Sequence, residues 1–330
     1  MKSNRIEWID TLKILGIFYI YLGHFGKSAG SLYPFVFSFH VPLFFFISGL
    51  FASSPNSIGA LLKVTKKTFS AIIIPYFIFC VISIMFYCIR FQWGPDIFYE
   101  KVVGALTGVR GVVFAESLWF LPCLFVVIIY HATLSLIFKR KAFVLAISLV
   151  IYVWLMPKAI ISHPYYFFNV DSGLCYLAYY SLGGVLSSTL QFNSFKEKSM
   201  KFKAIFISLL LLSLILFINS YFYGYEIFFK KIESSHIRVL VAFFVTSLLF
   251  IPSIAIAYLI NSKTLSSMGR STIVFCGTEQ ILKLAVFSSI SLFGFKLSFT
   301  NPAQTVIISV LCLALSNITI VKAYNYYMKK

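Results

Sequence analysis

Acidic residues are scarce in this 330-residue sequence: 10 Asp and Glu stand against 28 Lys and Arg, and charged residues of both signs make up only 12%. So little charge, beside 60% hydrophobic and 19% aromatic residues, excludes a disordered chain and an ordinary soluble domain alike. Cysteine is sparse too. The six (Cys80, Cys88, Cys123, Cys175, Cys276, Cys312) lie in or beside apolar stretches without CxxC or metal-type spacing, so they predict packing rather than a disulfide scaffold or a zinc site. Fixed-period repeats and low-complexity tracts are absent, which excludes repeat and collagen-like designs.

What is present is apolar bulk: 38 Phe, 20 Tyr and a mean hydropathy of +0.91. Lipid and neighbouring helices are the solvent that can take it. A span needs about 20 apolar residues, and the sequence offers ten such runs, at 11–26, 34–52, 69–90, 118–138, 142–157, 174–190, 202–222, 237–260, 272–293 and 303–324. The expected fold is therefore all-α, a polytopic integral membrane helical bundle of about ten transmembrane helices, forming one domain over residues 1–330. Of the 28 Lys and Arg, 17 fall in alternate connections that include both ends of the chain, nine fall in the others, and Lys13 and Lys283 lie inside helices. This bias places both termini in the cytoplasm. Because the cations sit in small groups between apolar runs, the net charge of +18 reflects topology and membrane lipids as partners, and no nucleic acid. The opening run, with Asp10 and Lys13 at its entry, is expected to be a retained helix and not a cleaved signal peptide.

Ionisable groups inside such runs cost a few kcal/mol each, so they need a reason. The first helix carries Asp10, Lys13 and His24. Lys13 and His24 lie within about 20° of one another around the helix and about 16 Å apart along it, so they share a stripe. Asp10 is close enough to pair with Lys13, and an interfacial ion pair is one reading of both. The second helix carries His40, two residues before Pro42, and a short connection brings His24 and His40 toward the same half of the membrane. Either they form a site or each bonds a backbone carbonyl freed by the proline. The ninth run carries Glu279 and Lys283 at i,i+4 spacing, a pair able to neutralise itself. Glu116 precedes Leu118-Trp119-Phe120-Leu121-Pro122, where Trp119 is either a site residue or an interfacial belt residue.

The run from Arg5 through Asp10, Lys13 and Gly16 to Leu22-Gly23-His24, followed by Phe39-His40-Val41-Pro42-Leu43-Phe44-Phe45-Phe46-Ile47-Ser48-Gly49, resembles the opening of the membrane acyltransferase-3 family, in particular its fucose 4-O-acetylase-like branch. Leu118-Trp119-Phe120-Leu121-Pro122, Tyr180-Ser181-Leu182-Gly183-Gly184 and Met268-Gly269-Arg270-Ser271-Thr272 extend the likeness along the chain. The resemblance implies an O-acetyltransferase of a bacterial plasma membrane that takes acetyl from cytoplasmic acetyl-CoA and delivers it to a hydroxyl of a cell-surface or lipid-linked glycan, without a metal. It implies catalytic roles for His24, His40 and Glu279, substrate contacts from Asp10, Lys13, Ser48 and Trp119, and CoA-phosphate contacts from Lys63, Lys66 and Lys67. Three departures stand out: Lys13 where many members have Arg, lysines in place of an Arg-rich pair nearer the step matched by Pro75-Tyr76, and Glu279 where many have His.

In this reading His24 takes the proton of the attacking hydroxyl, and His40 donates to the thioester carbonyl oxygen or binds the acceptor. Covalent and direct transfer both remain open. Two other classes fit the same polar stripe: a transporter or flippase of a lipid-linked glycan, for which inverted repeats are expected and none is found, and a membrane partner or sensor with degenerate chemistry.

Overall fold

The computed structural model describes residues 6–112, 117–158, 161, 164–191, 195–292, 294 and 301–328; Arg5 and Glu116 lie outside them, as do Lys2, Lys329 and Lys330. Every regular element among the described residues is helical. In chain order these are α1 (Glu7–Gly23), α2 (Leu32–Phe37), α3 (His40–Gly49), α4 (Ile58–Thr68), α5 (Ile74–Phe91), α6 (Pro95–Thr107), α7 (Phe120–Phe138), α8 (Lys141–Leu155), α9 (Val170–Leu190), α10 (Met200–Tyr223), α11 (Ser235–Leu248), α12 (Phe250–Leu259), α13 (Lys263–Gly269), α14 (Thr272–Leu292), α15 (Pro302–Ser316) and α16 (Lys322–Met328), with short 3-10 and π-helical turns between them. Among the described residues, eight helical stretches are long and apolar enough to cross a bilayer: Leu32–Gly49, Ile58–Phe91, Phe120–Phe138, Lys141–Lys158, Met200–Tyr223, Ser235–Leu259, Thr272–Leu292 and Pro302–Tyr324. The chain is an integral, multi-pass membrane protein.

The other two expected runs are helical as α1 and α9 but fall short on length or apolarity. The reason is burial. Thirteen of the seventeen residues of α1 are buried in protein, and α9 is enclosed along most of its length around Ser172, Tyr176, Tyr179, Tyr180 and Ser181. A helix that meets protein rather than lipid needs no apolar outer surface. α10 is the converse: it buries only Ser213 and Ser220 and turns Ile205, Leu211 and Ile215 outward, as expected where small residues pack inward and the solvent is hydrocarbon.

Two expected boundaries change. The run at 34–52 is two helices, because Pro42 has no N–H for the carbonyl of Ser38, four residues earlier. The chain breaks at Ser38-Phe39, and the Thr246 hydroxyl donates to that carbonyl at 3.3 Å. The run at 69–90 begins earlier, at Ile58: Ser57 caps α4 by accepting from the Ala60 N–H at 3.2 Å, and a π-helical turn at Phe69–Ile73 joins α4 to α5 ahead of Pro75. At 34 residues, about 51 Å at helical rise, this element outreaches a hydrocarbon core of about 30 Å.

The chain divides into two compact units, residues 1–47, 186–275 and 297–330 in one, 48–185 and 276–296 in the other. In the first, α1 is the centre, packed by α2, α12, α13 and α15. Its apolar core is Trp8, Ile9, Leu12, Ile17 and Tyr21. Its polar groups are met by protein: Thr11 Oγ1 donates to Asn261 Oδ1 at 2.6 Å, Tyr19 and Ser253 hydroxyls lie 3.1 Å apart, and Tyr21 donates to the Phe275 carbonyl at 3.3 Å. Glycines set the distances. The bare Cα of Gly269 lies directly on the backbone carbonyl of Asp10, and Gly16 receives the ring of Phe44.

In the second unit, Gly49 at the end of α3 lies on the Tyr180 carbonyl, and Gly277 of α14 takes the face of Phe79. α6 packs on α5, where Tyr76 donates to the Ala105 carbonyl at 2.6 Å. The turn that leads into α7 is held to α14 by a reciprocal pair: Ser117 Oγ donates to the Cys276 carbonyl at 2.7 Å, and Cys276 Sγ donates to the Ser117 carbonyl at 3.3 Å.

A methyl group at Gly269 would meet backbone, which cannot swing away as a side chain does. Gly269→Ala is expected to lower stability by about 1–3 kcal/mol, whereas Gly59→Ala, facing open space on α4, should be neutral or stabilising. Thermal unfolding of both variants in detergent checks this, and a wild-type midpoint for Gly269→Ala refutes the backbone contact.

Candidate functional site

The first unit holds both histidines singled out by the sequence. His24 closes α1: its N–H bonds the Ile20 carbonyl at 3.0 Å, and its side chain is half-buried, at the helix end rather than deep along it. His40 opens α3 and is 3% exposed. Its Nδ1 lies 2.7 Å from the Val36 carbonyl oxygen, and its ring stands edge-on to Phe37 at 4.8 Å. A carbonyl only accepts, so Nδ1 carries the proton and the lone pair of the neutral ring is on Nε2. The break ahead of Pro42 thus supplies two acceptors, Ser38 for Thr246 and Val36 for His40.

The same Val36-Phe37 pair packs on Gly23, the residue before His24. A Cβ at Gly23 would sit 2.8 Å from the Phe37 ring and 3.4 Å from Val36 Cγ2, so the residue next to His24 packs onto the residues that orient His40. The end of α1 that carries His24 thus packs against the helix break that carries His40. Asp10 and Lys13 lie toward the other end of α1 and pair with each other at 2.9 Å, Asp10 almost fully buried and Lys13 partly exposed. Their ion-pair reading is what the geometry shows.

The second unit holds the remaining residues. Glu279 is fully buried and its Oε1 accepts from Lys283 Nζ at 2.7 Å, the self-neutralising pair expected from the spacing. Glu279 stands one turn beyond Cys276, the residue on which Ser117 docks, so the segment leading into Trp119 reaches the part of α14 that carries the carboxylate. Ser48 is half-buried beside Gly49. Lys63, Lys66 and Lys67 are exposed together along α4, a spacing that puts them on one face.

Trp119 is not a belt residue. It is 7% exposed, with the Arg110 guanidinium over its ring at 4.9 Å and Tyr176 tilted against it at 6.0 Å. Asn169, fully buried, builds this arrangement: its Oδ1 accepts from the Arg110 N–H at 2.8 Å, and its Nδ2 donates to the Gly108 carbonyl at 2.8 Å and, more weakly, to that of Trp119 at 3.4 Å. Arg110 Nη1 donates to the Ile161 carbonyl at 3.1 Å. Phe168 and Asn169 have φ of 52° and 56°, a left-handed stretch that costs about 1 kcal/mol or more per residue and concentrates at functional sites.

Arg110, Asn169 and His131 were not among the residues expected from sequence. His131 is buried in α7, with Ser135 Oγ 3.4 Å from Nδ1, Tyr180 edge-on at 5.0 Å, and the open side of Gly184 beside Nε2. The test that found His24, an ionisable group in an apolar run, also fits His131. No comparable signal marks Asn169, whose importance lies in its backbone conformation. Among the described residues no three His, Cys, Asp or Glu side chains gather as a metal cage.

Asn169→Ala removes these bonds and keeps the left-handed penalty. It should lower stability by about 2 kcal/mol or more, with Asn169→Gly intermediate because glycine relieves only the backbone part. Unfolding followed by tryptophan emission reads both, and an alanine variant as stable as the parent would contradict the assigned role.

Comparison with known families gives one match, to a family model described as an acyltransferase domain, over residues 6–321. No curated protein and no solved structure matches the chain.

Proposed function

The chain belongs to the acyltransferase-3 family, and from that premise we propose that it moves acetyl from cytoplasmic acetyl-CoA to a hydroxyl of a cell-surface or lipid-linked glycan. Membership makes it a membrane acyltransferase; the donor, the acceptor, the fucose 4-O-acetylase-like branch and the residue roles are the proposal. The observation that carries it is the acyltransferase-domain match over residues 6–321, which takes in the α1 end bearing His24 and the helix break bearing His40, packed together through Gly23 and Val36-Phe37. In this scheme α1 and α9 also cross the bilayer, giving ten spans with both termini in the cytoplasm of a bacterial cell, and residues 1–330 act as one domain.

The acceptor hydroxyl attacks the thioester carbonyl, the C–S bond breaks, and CoA leaves as the thiol carrying the proton taken from the hydroxyl. His24 is the base: its half-buried ring at the end of α1 can take the hydroxyl proton on a ring nitrogen. His40 binds the acceptor: with Nδ1–H given to Val36, a neutral ring accepts at Nε2, whereas donating to an oxyanion would require the imidazolium. Lys63, Lys66 and Lys67 hold CoA phosphates as point charges. The acyl arm runs along the Lys13 face of α1, with Asp10 fixing Lys13. Ser48 and Trp119 contribute to acceptor binding, and Glu279 serves as a proton acceptor paired with Lys283.

His24→Ala should reduce acetyl transfer by about 10²–10⁴-fold while the protein accumulates in the membrane at the parental level. Radiolabelled acetyl-CoA turnover by purified protein, together with mass analysis of surface glycan from a deletion strain, measures this. Parental transfer by His24→Ala removes that residue from the mechanism, and unchanged glycan acetylation in the deletion strain removes the acceptor class.

A further inference from the structure

The first unit contains an apolar cleft of about 470 Å³ between α1, α13 and α15, lined among others by Ile14, Leu15 and Phe18 of α1, Met268 of α13, and Val310 and Leu313 of α15. At 100° per residue, the lining positions of α1 centre about 140° away from the Lys13–His24 stripe. The cleft is thus on the opposite side of α1 from the transfer face and is a different site.

Its two ends differ. Gly30, just past α1, touches the Pro302 ring at the start of α15, and Gly269 of α13 lies on Asp10 near the start of α1. α15 therefore runs back along α1, and the cleft's polar lining, Thr11, Thr264 and Asn317, gathers where α1 begins, while Phe18 and Val310 mark the apolar end. Thr11 to Phe18 is about 10 Å of helix. At the polar end the flanking residues are cations: Lys263 immediately precedes Thr264, and Lys322 stands one turn beyond Ile318, another lining residue; both are exposed. There the helix also widens into a π-turn, Asn317–Val321, a distortion that recurs at functional sites.

An apolar slot between helices of the first unit, with two exposed lysines, the exposed Thr264 and the half-buried Asn317 at one end, is complementary to a single amphiphile carrying negative charge. We propose that the cleft is a binding site for an anionic phospholipid, one acyl chain lying against Leu15, Phe18 and Leu313 and the headgroup phosphate meeting Lys263 and Lys322. Basic pockets between transmembrane helices recognise phosphate headgroups in this way. The inference rests on the membrane fold and on none of the roles proposed for acetyl transfer, so each can fail alone.

Native mass spectrometry of the full chain released from nanodiscs tests it, with phosphatidylglycerol or phosphatidylcholine as the lipid. The parent should retain one phosphatidylglycerol in preference to phosphatidylcholine. Ala314→Trp, which fills the cleft from an exposed lining position, should lose it with an unchanged unfolding midpoint in detergent. The double variant K263Q/K322Q, altered only at exposed side chains, should bind phosphatidylglycerol about 30-fold more weakly, two lysines at about 1 kcal/mol each. The proposal is overturned by equal retention of the two lipids, by retention in Ala314→Trp equal to the parent, by unaltered affinity in the double variant, or by a polyisoprenyl phosphate or an acyl-CoA as the species carried from native membranes.

Discussion

Hydrocarbon forms no hydrogen bonds, and that single property of the solvent governs how this chain can use a polar helix. α1 carries Asp10, Thr11, Lys13, Tyr19 and Tyr21 within seventeen residues. In lipid each would be costly. Enclosed by α2, α12, α13 and α15, they find Asn261, Ser253 and the Phe275 carbonyl, and Asp10 finds Lys13. The enclosure depends on close approach, and close approach depends on residues without side chains. Gly16, Gly23 and Gly269 stand where a neighbouring ring or carbonyl occupies the space of a Cβ. The outermost helices bear the opposite composition because they face the opposite solvent.

Interrupted backbone is the second theme. Pro42 deprives Ser38 of a helical partner, and the freed stretch becomes the place where Thr246 and His40 attach. A histidine fixed through Nδ1 has a defined tautomer and orientation, which a binding or proton-transfer role requires. Of the two expectations for His40, the bond to a backbone carbonyl is the one the structure shows. In the second unit the left-handed Phe168-Asn169 step plays a comparable part, placing one amide where it joins the Arg110 loop to Trp119.

Much of this could be read before any coordinates. The apolar runs located the helices, because a bilayer of fixed thickness demands about twenty apolar residues whatever the protein does. Spacing alone anticipated the Asp10–Lys13 and Glu279–Lys283 pairs, since residues three and four apart on a helix are neighbours. Where hydropathy placed a boundary differently, the cause is physical: α4 is an amphipathic extension whose lysines hid the start of a long helix. Trp119 went the other way. Its position at a helix end suggested a headgroup contact, but Arg110 and Tyr176 cover it.

Local chemistry explains the division. The amino-acid order by itself determined the helical membrane class, the family motifs and the two i,i+3 and i,i+4 ion pairs, because each of these depends on residues near one another along the chain or on average apolarity. The tertiary structure decided that Gly23 seats on Val36-Phe37, that Thr11 meets Asn261, that Asn169 joins Gly108, Arg110 and Trp119, and that a cleft opens on the far side of α1. Those contacts join residues up to 250 positions apart, and no periodicity encodes a distance that only folding closes.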